Sequence, residues 1–179
     1  MSSNLPKSLQ LLAGKPMLEH NMRATDALVC DQTIIVCSPE AKERIKQSVS
    51  SPEAGLVCVE QKEALGTGHA LRCAAPKIKK DNVVLVLLGD VPLVEPETLS
   101  KLVASASMDI LTLLTTTVLS PEGYGRIIRN SKNEIIAILE DDECSDKQRD
   151  INEINSGIMA FPINRINQWL DRLSANNKK

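Results

Sequence analysis

A carboxylate that follows a glycine at the end of a long apolar run is well placed to meet a ligand. This sequence has one at Gly89-Asp90, directly after the six aliphatic residues Val83–Leu88 of VVLVLLGDVPL. Such a run reads as a strand buried on both faces of a parallel sheet, and in open parallel sheets the ligand crevice lies outside the carboxyl ends of the strands. Asp90 there is a hard oxygen donor that can hold Mg²⁺ against a phosphate, or else it ends the strand and caps the following turn. The stretch EALGTGHA sets Gly66, Thr67 and a second glycine between a strand and a helix, where backbone can approach a ligand and helix N–H groups point outward. It lacks the full G-x-G-x-x-G and the Walker lysine, so it supports neither a dinucleotide site nor a P-loop, and a plain tight turn also accounts for it. His69, at the start of that helix, reads as solvent-facing or locally bonded rather than catalytic.

Three later positions carry the same double reading. Gly125 in GYGRI leads into a strand, as a simple β-turn would require. Glu140 follows the apolar run IIAIL, where a strand-end carboxylate either accepts sugar hydroxyls or faces water. Asn155 and Ser156 stand at the head of the apolar strand in INEINSGIMAF, and a buried amide there needs a partner from the local turn or from a polar ligand.

The elements that must position these residues alternate. PMLEHNMRATDALV reads as a proline-initiated helix, QTIIVCS as a strand, PEAKERIKQSVS as a helix, GLVCVE as a strand, TGHALRCAAP as a helix, NVVLVLL as a strand and VEPETLSKLVASA as a helix. That is the pattern of βαβ units on a parallel sheet. Past Asp109 the pattern changes: DILTLLTTTV, GRIIRN, EIIAILE and SGIMAFP are strands with short connections, expected to form an antiparallel part. DDECSDKQRDIN reads as a surface loop, NRINQWLDRL as a closing helix and SANNKK as a frayed tail.

The 179 residues, 42% hydrophobic and 25% charged, can bury one sizeable core, so one domain is expected. A formal charge of −2 with interspersed signs supplies no field for a nucleic-acid backbone, and 2% aromatic content leaves no base-stacking platform. No apolar run reaches the roughly 18 to 20 residues that cross a bilayer, and a cytoplasmic location is expected. The five cysteines, Cys30, Cys37, Cys58, Cys73 and Cys144, show no C-x-x-C spacing and read as reduced thiols.

Taken in order, LPKSLQLLAGKPMLEH, EQKEALGTGHA, LLGDVPL, GYGRII, ILED and INEINSGI resemble the successive motifs of the sugar nucleotidyltransferases. Within them the resemblance is to the bacterial uridyltransferases that form UDP-N-acetylglucosamine for peptidoglycan and lipopolysaccharide precursors, and it covers nearly the whole chain. It implies an α/β nucleotide-diphospho-sugar transferase fold: a Rossmann-like, mostly parallel sheet flanked by helices, with a smaller antiparallel sugar-binding part. The implied reaction joins UTP to N-acetylglucosamine 1-phosphate, with Mg²⁺ as cofactor and pyrophosphate leaving. Asp90 would be the Mg²⁺ ligand and Lys7 a phosphate contact, these two being the catalytic residues. Gln61, Gly66 and Thr67 would lie against uracil and ribose, with Leu88 and Gly89 beside the substrate, and Gly125, Glu140 and Asn155 would hold the sugar.

The sequence also departs from that family. Leu88 stands where these uridyltransferases usually carry a tyrosine. Family members carry a buried strand and an L-x-x-G-x-G-T-R-M loop before Leu-Pro-Lys, whereas here Met1 falls at the methionine of that motif. Residues 1–179 are therefore expected to be an incomplete nucleotidyltransferase domain, without its first central strand, without the asparagine that is the family's second Mg²⁺ ligand, and without an acetyltransferase β-helix. Self-association through the incomplete sheet is a further expectation. Two other readings stay open: a catalytically incompetent remnant that keeps the sugar and uracil surfaces, and a nucleotidyltransferase for another sugar 1-phosphate.

Overall fold

The structure is a computed structural model that describes residues 5–49, 55–79, 83–106 and 110–172. After a 3-10 turn at Lys7–Leu9, Leu11–Leu12 (β1) and Lys15–Pro16 (β2) form a small hairpin across Ala13 and Gly14, whose φ values are 49° and 80°. Two positive φ angles in succession are what a two-residue hairpin turn requires. LLAGKP has no apolar alternation to announce it.

The expected alternation follows. Met17–Thr25 (α1), Thr33–Cys37 (β3), Pro39–Ser48 (α2), Leu56–Glu60 (β4), Thr67–Ala74 (α3), Val83–Val86 (β5) and Pro96–Ser105 (α4) succeed one another. Proline at the first turn of α2 and α4 costs nothing, because the N–H it lacks would be unpaired there. β3 and β4 pair in parallel, Ile35 opposite Cys58. The second part holds Thr112–Thr117 (β6), Arg126–Arg129 (β7), Ile135–Leu139 (β8), Asp146–Arg149 (α5), Glu153–Pro162 (β9) and Ile166–Leu170 (α6).

β9 organises this second part. β5 and β6 flank it, both antiparallel to it and so running in the same direction, with Leu85 and Thr112 facing Ala160 from opposite edges. β7 meets β9 at Ile154 and pairs onward with β8. The result is a mixed α/β fold with a parallel pair and a larger sheet built around one antiparallel strand.

Two expectations are corrected. Val83–Leu88 is not a strand buried on both faces: β5 stops at Val86, its residues are half-buried and Val83 is 41% exposed. The reason is that β5 has a ladder partner on the β9 side alone among the described strands. DDECSDKQRDIN is not a plain loop either. Asp141–Glu143 is a 3-10 turn and α5 is closed by a capping box, in which the Ser145 backbone and hydroxyl both reach the Gln148 side chain and Cys144 is buried. The expected tail SANNKK, and Met1, lie outside the described residues.

The core divides into three clusters. Leu9, Leu18, Ile35, Cys37, Ala41 and Ile45 pack around β3. Ala24, Leu99, Leu102, Ile158 and Ala160 pack on one face of β9, and Phe161, Ile166 and Leu170 on the other. β5 alternates between the last two, Leu85 against the α1–α4 side and Val84 and Val86 against the α3–α6 side. All five cysteines are free thiols. No helix among the described residues is long and apolar enough to cross a membrane.

Candidate functional site

An open groove of about 1260 Å³ runs between β3 and β5. Seven of the ten candidate residues line it: Lys7, Gln61, Gly66, Thr67, Leu88, Gly89 and Asp90. They gather where β3, β4 and β5 end. The Gln61 backbone N–H donates to the Cys37 carbonyl at 2.8 Å, fastening the end of β4 to the end of β3. Its side-chain Nε2 donates to the Gly66 carbonyl at 3.1 Å and lies 3.1 Å from His69 Nδ1. That imidazole nitrogen is also 3.0 Å from the Glu63 carbonyl, so it serves one neighbour as acceptor or the other as donor. His69 is thus a local brace for the turn.

Gly66 precedes α3 at φ 89°, a conformation that glycine alone adopts without strain. Gly66 provides no side-chain cap for this helix, whose first turn faces the groove end at Gly66 and Thr67. Across from it, Asp90 and Lys7 are both exposed. A Cβ at Gly89 would stand 3.0 Å from the Ser8 Cβ, so the Lys7–Leu9 turn packs directly on the Gly89-Asp90 backbone.

Gly125, Glu140 and Asn155 lie outside the groove lining and form a second group. The Asn155 N–H donates to the Gly125 carbonyl at 2.8 Å, and a Cβ at Gly125 would fall 3.1 Å from Ile138 and 3.6 Å from a Glu140 carboxylate oxygen. Asn155 and Ser156 are half-buried rather than buried, and both have partners within the protein. Asn155 Oδ1 accepts from the Gly157 N–H at 2.9 Å, and the Ser156 hydroxyl donates to the Leu114 carbonyl at 2.6 Å.

Leu88 joins the two groups. Gly157 has φ 76°, and a Cβ there would come within 2.7 Å of Leu88 Cδ1, so the leucine is seated on bare backbone two residues from Asn155.

Sequence reasoning missed the supports. Asn21 is 5% exposed and donates through Nδ2 to the Leu88 carbonyl at 3.0 Å, holding the end of β5 against α1. Its spacing from Leu18 and Ala24, three residues each way, put a polar group on the apolar face of α1 and was the available signal. Arg126 is fully buried, donating to the Tyr124 carbonyl and to Asp141 at 3.0 Å. The Asp141 carboxyl is held below its ordinary range by the Gly123 N–H and, against the opposing effect of burial, by Arg126. Together they fix the 121–125 loop against the turn that follows Glu140. No pattern in GYGRI distinguishes this arginine from an exposed one.

The chain spans about 38% of the length of the curated relatives it matches. Bifunctional protein GlmU of Nitrosospira multiformis is 44% identical over 178 residues, 99% of this chain and 38% of that protein. The GlmU proteins of Cellvibrio japonicus and Alcanivorax borkumensis are 40% and 43% identical over 177 residues, again covering 99% of this chain and 38% of each relative. The groove-end residues Lys7, Gln61, Gly66, Thr67 and Asp90 all fall within residues 1–124, the span over which the sequence matches the MobA-like NTP transferase domain. Matched over more than half its length and with its strand-end carboxylate and glycine turn assembled at one groove, the chain belongs to the MobA-like NTP transferase domain family.

Proposed function

We propose that the chain is the nucleotidyl-transferring part of a cytoplasmic enzyme of cell-wall precursor synthesis, moving a uridylyl group from UTP to N-acetylglucosamine 1-phosphate. The observation that supports it most is the meeting of Lys7, Gln61, Gly66, Thr67 and Asp90 around one end of one groove. The Leu88–Gly157 contact adds to it by setting Gly125, Glu140 and Asn155 alongside. A sugar-phosphate oxygen attacks the α-phosphorus, forming one P–O bond as the bond to pyrophosphate breaks. Holding the two reactants together removes most of the entropic barrier. Lys7 places an ammonium beside the phosphates, the Gln61–Gly66 turn offers hydrogen bonds to a flat base, and Glu140 accepts sugar hydroxyls.

Asp90 is a lone exposed carboxylate, and no group of three or more metal-binding side chains occurs among the described residues. That donor set fits Mg²⁺, which takes one or two carboxylates and completes its sphere with phosphates and water. Bound there, the ion would neutralise phosphate charge.

The test is pyrophosphate release from UTP, N-acetylglucosamine 1-phosphate and Mg²⁺. Turnover is expected, with Asp90→Asn lowering it by about a hundredfold or more, and release only with another triphosphate or sugar phosphate would overturn the substrate assignment. A second reading, binding without turnover, has an observation of its own. The cationic residues lining the groove, among those described, are Lys7 and Lys79, and Lys79 is bonded to the Asp31 carbonyl at the opposite end. Saturable shifts of the Gln61 and Asn155 amides by UDP-N-acetylglucosamine, with no pyrophosphate released, would select it.

A further inference from the structure

The Leu88 carbonyl accepts two hydrogen bonds. The Val91 N–H donates to it at 3.1 Å, closing a turn whose middle residues are Gly89 and Asp90, and Asn21 Nδ2 donates to it at 3.0 Å from α1. The first bond is internal to the turn, and the second ties the turn to a helix. Two packing contacts hold the same stretch from other sides: the Leu88 side chain sits against Gly157, and a Cβ at Gly89 would stand 3.0 Å from the Ser8 Cβ. Neither contact is directional. Asn21 is buried on α1 between Leu18, in the cluster around β3, and Ala24, in the cluster on β9, so an aliphatic side chain would continue that apolar face. Nor does the carbonyl require the amide, because the Val91 N–H already satisfies it. Burying an amide there costs free energy that its hydrogen bond must offset, and the bond it makes is to the turn that carries Asp90.

We propose that Asn21 is a positioning residue for the Asp90 carboxylate: by holding the Leu88 carbonyl it fixes the turn that presents Asp90 to a divalent cation at the groove end. The inference rests on the reading of Asp90 as a Mg²⁺ ligand. Asp90 is exposed on a short turn, so the aim of its carboxylate depends on how firmly the backbone beneath it is held. Asn21 touches neither cation nor substrate in this scheme and acts through the turn alone. Removing a group that orients a metal ligand typically weakens metal affinity or activity by about tenfold to a hundredfold. The effect of Asn21 therefore belongs to the cation and nucleotide side of the site, and the group formed by Gly125, Glu140 and Asn155 should not feel it.

The test compares the full chain with Asn21→Leu, which keeps the apolar contacts of the side chain and removes its donor. Asn21→Ala, which trims the side chain instead, serves if the leucine chain does not fold. The first readout is binding: Mn²⁺ is titrated in the presence of UTP, and paramagnetic broadening of the Gly89, Asp90 and Val91 amides is followed. Half-maximal broadening is expected to need about tenfold more Mn²⁺ in Asn21→Leu. The second is turnover, where the Mg²⁺ concentration for half-maximal pyrophosphate release should rise by a similar factor while KM for N-acetylglucosamine 1-phosphate at saturating Mg²⁺ stays put. A purely structural defect would move both. In an Asp90→Asn background the Asn21 substitution should add nothing, because the two act as one unit. Unchanged Mn²⁺ dependence in Asn21→Leu, or a loss that persists in full without the Asp90 carboxylate, would overturn this inference alone. An unsubstituted chain that shows neither broadening at Asp90 nor pyrophosphate release would overturn the reading of Asp90 as a cation ligand, and this inference with it.

Discussion

β5 and β9 lie side by side, Val84 opposite Phe161 and Leu85 opposite Ala160, yet they inhabit different surroundings. Phe161 and Ala160 are 1% and 0% exposed, whereas β5 is half-buried and its first residue is 41% exposed. Both sequences are strongly aliphatic, so hydrophobicity does not separate them. What separates them is the number of neighbours: among the described strands, β9 has one on each edge and β5 on one edge alone. The same contrast divides the charged groups. Around β7 and β9, Arg126 is fully buried against Asp141 and Arg129 pairs with Glu153 at 2.7 Å, while Lys7 and Asp90 at the groove stand exposed. One region pairs its charged groups internally, leaving only the buried Arg126 Nε and Thr112 Oγ1 without a hydrogen-bond partner among the described residues, and the other keeps its charged groups exposed at the groove.

The sharpest way to break this contrast is to truncate the two register partners. Phe161→Ala is expected to cost about 4 kcal/mol in equilibrium unfolding and Val84→Ala about 1 kcal/mol, because the first opens a cavity and the second trims a half-open surface. Equal losses would show that the β5 edge is as well packed as β9. Arg126→Met should cost about 3 kcal/mol, since it leaves the Tyr124 carbonyl and the Asp141 carboxylate without their cation. The corresponding Lys7→Met at the groove should leave the melting temperature nearly unchanged.

The smallest effect is a pH dependence confined to the antiparallel region. Hydrogen bonding from Arg129, helped by Thr115 and opposed by burial, lowers the Glu153 carboxyl from its ordinary 4.5 to about 2. A carboxyl depressed in the folded state contributes stability in full above pH 4.5 and loses it as pH falls through about 2. Melts recorded across that window should therefore show a declining stability that is shallower in Glu153→Gln. The loss is modest, because the pair is partly solvated and salt screens it.

Local chemistry made much of the fold readable. Prolines marked the starts of α1, α2 and α4, apolar runs marked the strands, and the change of pattern after Asp109 marked the strands β6 to β9, although β5 from before it joins their sheet antiparallel to β9 rather than a parallel one. The groove-end residues were readable for the same reason, since glycine turns and strand-end carboxylates are local features. What was not legible depends on neighbours distant in sequence. The half-burial of VVLV follows from its pairing on one edge alone among the described strands, the burial of Arg126 from an aspartate fifteen residues away, and the role of Asn21 from a carbonyl sixty-seven residues away. Even the helix inside DDECSDKQRDIN was announced only by a serine and a glutamine three apart, a signal that acidic composition conceals.

The seat of Leu88 on Gly157 makes the two groups of candidate residues a single caliper. Its jaws are the end of β5, which carries Asp90, and the start of β9, which carries Asn155, and the leucine side chain is the spacer that fixes their opening. Widening that spacer at Gly157 would move both jaws at once without touching a ligand. The spacing between the groove end and the Gly125–Glu140–Asn155 group is then set by this apolar contact together with the β5–β9 ladder and the Asn21 hydrogen bond to the Leu88 carbonyl.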